Sequence, residues 1–281
     1  MIKRWIITGD THGQVVKRLY QILGNIDDVA LEETAVIILG DAGINYYLNK
    51  TDQKNKQGIS SLGLRVYCVR GNHEARPSNV PGMVLAEDLD VGGMVYMEEE
   101  YPLIRYFVDG GEYIIDNKKV LVVGGAYSVD KHYRLMRARY GGFTGWFEDE
   151  QLSASEMEAI QENVAGNQYD LVLTHTAPLI WEPSDLFLRG IDQSTVDKSM
   201  ENWLSELSEE ITWSLWLFGH YHADRIESPH VEQFYQDYED LENIIKRWQI
   251  YDESGELDWW LPKSPRMKQQ LEEMNNVRNK N

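Results

Sequence analysis

Short apolar runs that stop at a glycine or threonine recur along this chain, with helical spacing between them. Arg4–Thr8, Thr34–Leu39 and Leu64–Val69 are β-rich and unbroken in polarity, the pattern of strands buried on both faces. Between the first two, Val15, Val16, Leu19, Ile22 and Leu23 fall at helical spacing, and Gly24-Asn25 closes the run. Strand, helix and strand within about forty residues predict a parallel βαβ unit. The polar stretch Ile44–Gly58, with Lys50, Lys54 and Lys56, reads as a loop or short helix after the second strand, and Arg76–Gly93 reads as loop.

The middle of the chain changes character. Val95–Met97, Ile104–Val108, Glu112–Ile115 and Lys119–Val123 are short strand patterns, with hairpin signals at Asp109-Gly110-Gly111 and Asp116-Asn117-Lys118. A basic, aromatic stretch follows from Lys131 to Arg139. Ser153 and Glu156 form a capping box that opens a helix to Val164, with Met157, Ile160 and Val164 on its core face. Tyr169–Thr174 is a strand, Val196 to Ile211 an amphipathic helix, and Trp213–Phe218 a further strand. Beyond Ala223 the pattern weakens: Val231–Tyr238 reads as a strand pair and Leu241–Trp248 as either helix or strand. Trp259-Trp260-Leu261-Pro262 reads as an aromatic turn and Met267–Val277 as a polar helix or frayed tail.

Composition narrows the class. The 281 residues are 42% hydrophobic and 26% charged, which is globular, and the formal net charge is −19. So negative a surface repels phosphate backbones and disfavours a long nucleic acid partner. Cys68, the single cysteine, lies inside an apolar run and permits no internal disulfide, which fits a reducing compartment. No run of eighteen apolar residues suggests a membrane span, and the N-terminal residues lack a signal-peptide pattern, so a cytoplasmic location is expected.

The candidate chemistry sits at the strand ends. Asp10 and His12, then Asp41, then Asn72 and His73, then His175, then His220 and His222 each follow an apolar run at once. Five of the seven histidines lie there, and ligands in open α/β sheets collect at the carboxyl ends of strands. Carboxylate, amide and imidazole donors together make an oxygen–nitrogen site for divalent transition metals. There are too many donors for one tetrahedral ion; they suit two ions roughly 3.5–4 Å apart. Asp41, alone at its strand end, is the natural shared ligand. His73, beside Asn72, points elsewhere and is placed to protonate a leaving group.

Gly9-Asp10-Thr11-His12-Gly13, Gly40-Asp41-Ala42-Gly43, Gly71-Asn72-His73-Glu74, Thr174-His175 and Gly219-His220-Tyr221-His222 resemble, in order, the five motifs of the calcineurin-like metallophosphoesterases, in the manner of a bacterial or phage-type member. The resemblance implies an α/β fold, a four-layer α/β/β/α sandwich of two mixed sheets flanked by helices, with a dimetal site at the carboxyl ends of the strands. It implies one ion held by Asp10, His12, Asp41 and His222 and a second by Asp41, Asn72, His175 and His220. The ions would be manganese, iron or zinc, with manganese expected to support activity in vitro. It further implies a metal-bridging hydroxide as nucleophile, His73 as proton donor, and Asn72 and Arg70 as substrate ligands. Arg70 looks like a phosphate-binding arginine of the serine/threonine phosphatase branch.

That branch carries a second arginine after the bridging aspartate, where this chain has Ala42-Gly43-Ile44-Asn45. Arg134, Arg137 and Arg139 are candidates to supply the missing charge, and equally to pair with the acidic surface. The expected activity is hydrolysis of a phosphomonoester or phosphodiester in a small or nucleotide-type substrate. A serine/threonine-type protein phosphatase and a metal-bound, non-enzymatic scaffold are the alternatives. Residues 1–240 are expected to form the catalytic domain and 241–281 an extension packed on it.

Overall fold

The computed structural model describes residues 2–26, 30–187 and 193–255. The expected βαβ unit is present as β1 (Arg4–Thr8), α1 (Val15–Leu23) and β2 (Thr34–Ile38), and continues through α2 (Lys50–Ser61) into β3 (Arg65–Cys68). Then come β4 (Met83–Asp88), β5 (Gly93–Glu98), β6 (Ile104–Phe107), β7 (Gly111–Ile115) and β8 (Lys118–Val123). The later half runs α3 (Lys131–Arg139), α4 (Ala154–Val164), β9 (Gln168–Tyr169), β10 (Leu171–Thr174), α5 (Ser199–Glu210), β11 (Thr212–Trp213) and β12 (Trp216–Phe218). It closes with β13 (Arg225–Ser228), β14 (Val231–Gln233), β15 (Tyr238–Asp240) and α6 (Leu241–Ser254).

Two mixed sheets stack face to face. The first has the order β15-β1-β2-β3-β6-β5-β4 and the second β13-β14-β12-β10-β8-β7. In each the central strands are parallel and the edges antiparallel. Ile7, Ile37, Tyr67 and Val69 from one sheet meet Val120, Val122, Leu171 and Leu217 from the other in a shared core. The outer face of the first sheet buries Val36, Ile38 and Val66 under Val15, Leu19 and Ile59 of α1 and α2. The outer face of the second buries Val172, Trp216 and Phe218 under Met157, Leu204 and Leu207 of α4 and α5. This is the four-layer α/β/β/α sandwich expected from the motifs.

Several local expectations change. Part of the stretch Arg76–Gly93 read as loop is the edge strand β4, whose Val84 and Leu85 remain exposed, so no alternation marked it. Trp213–Phe218 divides into β11, paired with β9, and β12 in the second sheet. The two strands around Val231–Tyr238 do not pair with each other: β14 joins the second sheet and β15 the first. Leu241–Trp248 is helical, and Leu241, Ile244 and Trp248 of α6 enter the inter-sheet core. The aromatic turn at Trp259-Trp260 and the stretch Met267–Val277 lie outside the described residues. Among the described residues, no helix is long and apolar enough to cross a membrane.

Candidate metal centre

Strands β1, β2, β3, β10 and β12 end at one rim, and the loop after each delivers one part of a single cluster. Ligand atoms of Asp10, His12 and His222 lie within 4.8 Å of one another; so do those of Asp10, Asp41 and His175, and those of His12, Asp41 and His73. Asp41 belongs to two of these groups, with His175 Nε2 3.5 Å from Oδ1 and His73 Nε2 3.8 Å from Oδ2. His220 joins through its ring, 5.0 Å from that of His175, and its backbone amide donates to Asp10 Oδ1 at 3.1 Å. Asn72 Oδ1 lies 2.9 Å from His175 Nε2.

Close approach of these loops requires glycine. A Cβ on Gly71 would sit 2.0 Å from Asp41 Oδ1, and one on Gly40 would sit 1.9 Å from His175 Nδ1. The cluster residues are themselves strained. His12 (φ 45°), Asp41 (φ 47°), His220 (φ 70°) and His222 (φ 56°) occupy the left-handed region, unusual for residues bearing a Cβ. Each such residue costs roughly 1 kcal/mol or more, and strain of this kind collects where function over-determines the backbone.

Proton bookkeeping tests whether these donors fit a cation. The Leu39 carbonyl, 2.9 Å from His175 Nδ1, can only accept, so Nδ1 carries the ring proton and Nε2 presents a lone pair. Ser128 gives its hydroxyl proton to Glu150 Oε2 at 2.5 Å and therefore accepts from Asn72 Nδ2 at 2.8 Å. Asn72 is thus fixed with Oδ1 toward His175, and an oxygen faces a bare nitrogen at 2.9 Å. On the other side His12 Nε2 and His222 Nε2 stand 2.8 Å apart, with Asp10 Oδ2 3.4 Å from His222 Nε2. Asp10 Oδ2 is buried and has no hydrogen-bond partner. An acceptor pair at Asn72 and His175, two imidazole nitrogens at hydrogen-bond distance and an orphaned carboxylate oxygen fit divalent cations, whose ligands must present lone pairs.

The electrostatics agree. Burial alone would raise the Asp41 carboxyl, yet His175, His73, His12 and the His73 amide hold it down at about 2, against an ordinary 3.8. Burial, reinforced by His175, pushes His220 well below the usual imidazole value, toward the neutral form a ligand needs. Burial also lowers His73; Asp41 opposes that shift and Arg134 adds to it. His222 alone goes the other way, raised by its hydrogen bond to the Asp10 carboxylate beside it, and the proton it gains is one that a bound cation would displace. Beneath the cluster Glu74 takes bonds from Gly71 N and Tyr106 Oη, and burial pushes it up to about 7.

Arg70 does not reach the cluster through any contact. Its guanidinium is buried and donates from Nε to Asp109 Oδ2 at 2.9 Å, from Nη1 to the Glu150 carbonyl at 2.7 Å and from Nη2 to the Gly124 carbonyl at 3.2 Å. The structure thus places the expected phosphate-binding arginine among protein acceptors, where it ties β3 to the loop after β8. Sequence reasoning also passed over Ser128 and Glu150, which orient Asn72; their only signal is a serine in the small-residue loop after the eighth strand. Near His73 lies an aromatic group. Tyr46 stacks on the His73 ring at 6.3 Å, and the exposed rings of Tyr47 and Phe143 lie 5.2 Å apart beside it. A polar cavity of about 260 Å³, lined by Asp10, His12, Lys17, Arg18 and Tyr235, opens on the other side.

The family model for calcineurin-like phosphoesterases matches residues 3–224 of the chain. No curated protein matches it.

Proposed function

The chain belongs to the calcineurin-like phosphoesterases, and from that premise we propose that it hydrolyses a phosphomonoester or phosphodiester in a small, nucleotide-type substrate. The observation that carries this reading is the set of lone pairs turned inward around Asp10 Oδ2 and between Asn72 and His175. Asp10, His12, Asp41 and His222 would hold one divalent ion, and Asp41, Asn72, His175 and His220 a second. When bound, such a pair polarises the phosphoryl group, lowers the pKa of water and steadies the leaving oxygen.

The chain's own residues do the rest. Asp41, with its charge held by three imidazoles, is the shared anion. Ser128 and Glu150 lock the Asn72 amide so that its oxygen cannot rotate away. His73 delivers the proton that the departing alkoxide or nucleoside oxygen takes up as the P–O bond breaks, while a water oxygen forms the new bond to phosphorus. The Tyr47–Phe143 ring pair offers a stacking face to a base attached to that phosphate. The net charge of −19 and the reduced, buried Cys68 support a small substrate in a reducing, cytoplasmic setting.

The test is a substrate panel with and without manganese: a phosphomonoester, a phosphodiester, cyclic nucleotides, a dinucleoside polyphosphate and a phosphopeptide. Turnover is expected to require about two ions per chain and to be highest on a nucleotide-bearing member. Full activity after chelation removes the mechanism, and a preference for the phosphopeptide replaces the substrate class with protein.

The backbone strain supplies a second test. In the metal-free protein His222→Asn is expected to be as stable as wild type or roughly 0.5 kcal/mol more so, because Asn tolerates the left-handed region better than His. The same variant is expected to lose bound manganese in a titration followed by metal analysis. Destabilisation of the metal-free variant by more than about 1 kcal/mol contradicts the idea that His222 is held there for metal rather than for the fold.

A further inference from the structure

The basic stretch Lys131–Arg139 forms α3, and only one of its three arginines is turned inward. Arg134 is 4% exposed, whereas Arg137 and Arg139 are exposed. Its Nε pairs with Asp130 at 2.8 Å and its Nη1 donates to the Gly145 carbonyl. Its Nη2 lies 2.6 Å from His73 Nε2 and 2.9 Å from His73 Nδ1.

Its partners set this arginine apart from Arg70 and Arg247. Two other buried arginines are neutralised within the protein: Arg247 by Glu232 and Glu239, and Arg70 by Asp109 with two carbonyls. Arg134 has one half-exposed carboxylate, Asp130, on Nε, while the Nη2 end of its fork meets the His73 ring rather than a second carboxylate. A desolvated guanidinium with half its fork facing no anion is poorly compensated. A phosphoryl group is the partner whose charge and oxygen spacing match that fork. Arg70, beside Gly71-Asn72-His73 in the chain, is engaged elsewhere.

We propose that Arg134, delivered by α3, grips the non-bridging oxygens of the substrate's phosphoryl group beside His73. This rests on the phosphoesterase reading above and names the residue that binds the reacting group. Asp130 and the Gly145 carbonyl hold the fork in place before substrate arrives, so binding requires little reorganisation.

The test uses inorganic phosphate as probe, by calorimetry on the manganese-loaded full chain and as a competitive inhibitor. Arg134→Met is expected to weaken phosphate binding by about 30-fold, the loss of a charged hydrogen-bonded contact, and to raise KM more than it lowers kcat. Manganese content and unfolding midpoint serve as controls. Arg134→Lys keeps the charge without the fork and is expected to fall between the two, about 5-fold weaker than wild type. Should the Met variant not fold, the Lys variant decides alone, since a purely structural arginine leaves phosphate affinity unchanged in any variant that folds. Phosphate affinity equal to wild type in either folded variant overturns the proposal while leaving the phosphoesterase reading intact. Absence of phosphate binding and of turnover in the wild type overturns both.

Discussion

Replacing Asp41 with Asn is expected to lower phosphoester turnover by roughly 10³-fold or more and to cut the metal content to about one ion per chain or fewer. The side chain keeps its shape, and one amide oxygen can still accept the His73 N–H bond, which is 2.7 Å long in wild type. What is lost is the charge. Asp41 is 1% exposed and sits within ion-pair distance of His12, His73 and His175. An amide presents one good ligand oxygen where the carboxylate presents two, so two ions held in the proposed way would no longer share it. Because the Asp41 carboxyl is lowered from 3.8 to about 2 in the folded protein, it stabilises the metal-free fold above pH 3.8, and that contribution disappears as pH falls through about 2. The gap in unfolding free energy between metal-free wild type and Asp41→Asn is therefore expected to be full at neutral pH and to close in acid. Turnover and two bound ions retained in the Asn variant would remove Asp41 from its role as shared ligand.

How much of this was legible in one dimension depends on burial. β1, β2, β3, β10 and β12 are buried along nearly their whole length, so unbroken apolar runs announced them, and the cluster residues follow those runs directly. β4 escaped because its apolar side chains lie on an exposed edge. α3 escaped as a helix because its one buried side chain is an arginine, which no hydrophobic pattern records. β13, β14 and β15 are three or four residues long, too short for a period, and β14 and β15 serve different sheets. The left-handed backbone at His12, Asp41, His220 and His222 has no compositional mark, because Asp and His enter that region more often than other side chains but still too rarely to single out a position.

Arg70 and Arg134 show the same limit from the side of charge. Arg70 adjoins Gly71-Asn72-His73, so its position suggested a phosphate ligand. Its acceptors Asp109, Gly124 and Glu150 come from distant parts of the chain, and only their assembly reveals that the guanidinium is engaged. Arg134 lies 61 residues from His73, and its separation from Arg137 and Arg139 appears only once α3 has a buried side. Residue types at strand ends were readable, whereas which cation faces them was a question of packing.

Arg247→Met is expected to have the largest effect on stability, about 3–5 kcal/mol, with a fall in unfolding midpoint of roughly 10 °C. Arg247 on α6 is fully buried and reaches both sheets. It bonds Glu232 of β14 from Nε at 3.1 Å and from Nη2 at 2.9 Å, and Glu239 of β15 from Nη1 at 3.0 Å and Nη2 at 2.8 Å. Trp248 Nε1 adds a bond to Glu232 at 2.7 Å. The arginine therefore clasps the two sheets where the chain crosses between them. Methionine fills much of the volume but strands two buried carboxylates, and an uncompensated buried charge is what makes breaking such a pair costly. One consequence separates stranded charge from lost packing. Adding Glu232→Gln and Glu239→Gln to Arg247→Met is expected to recover most of the loss, since neutral amides are cheaper to bury than carboxylates. A triple variant no more stable than Arg247→Met would assign the clasp's contribution to packing of the arginine stem instead.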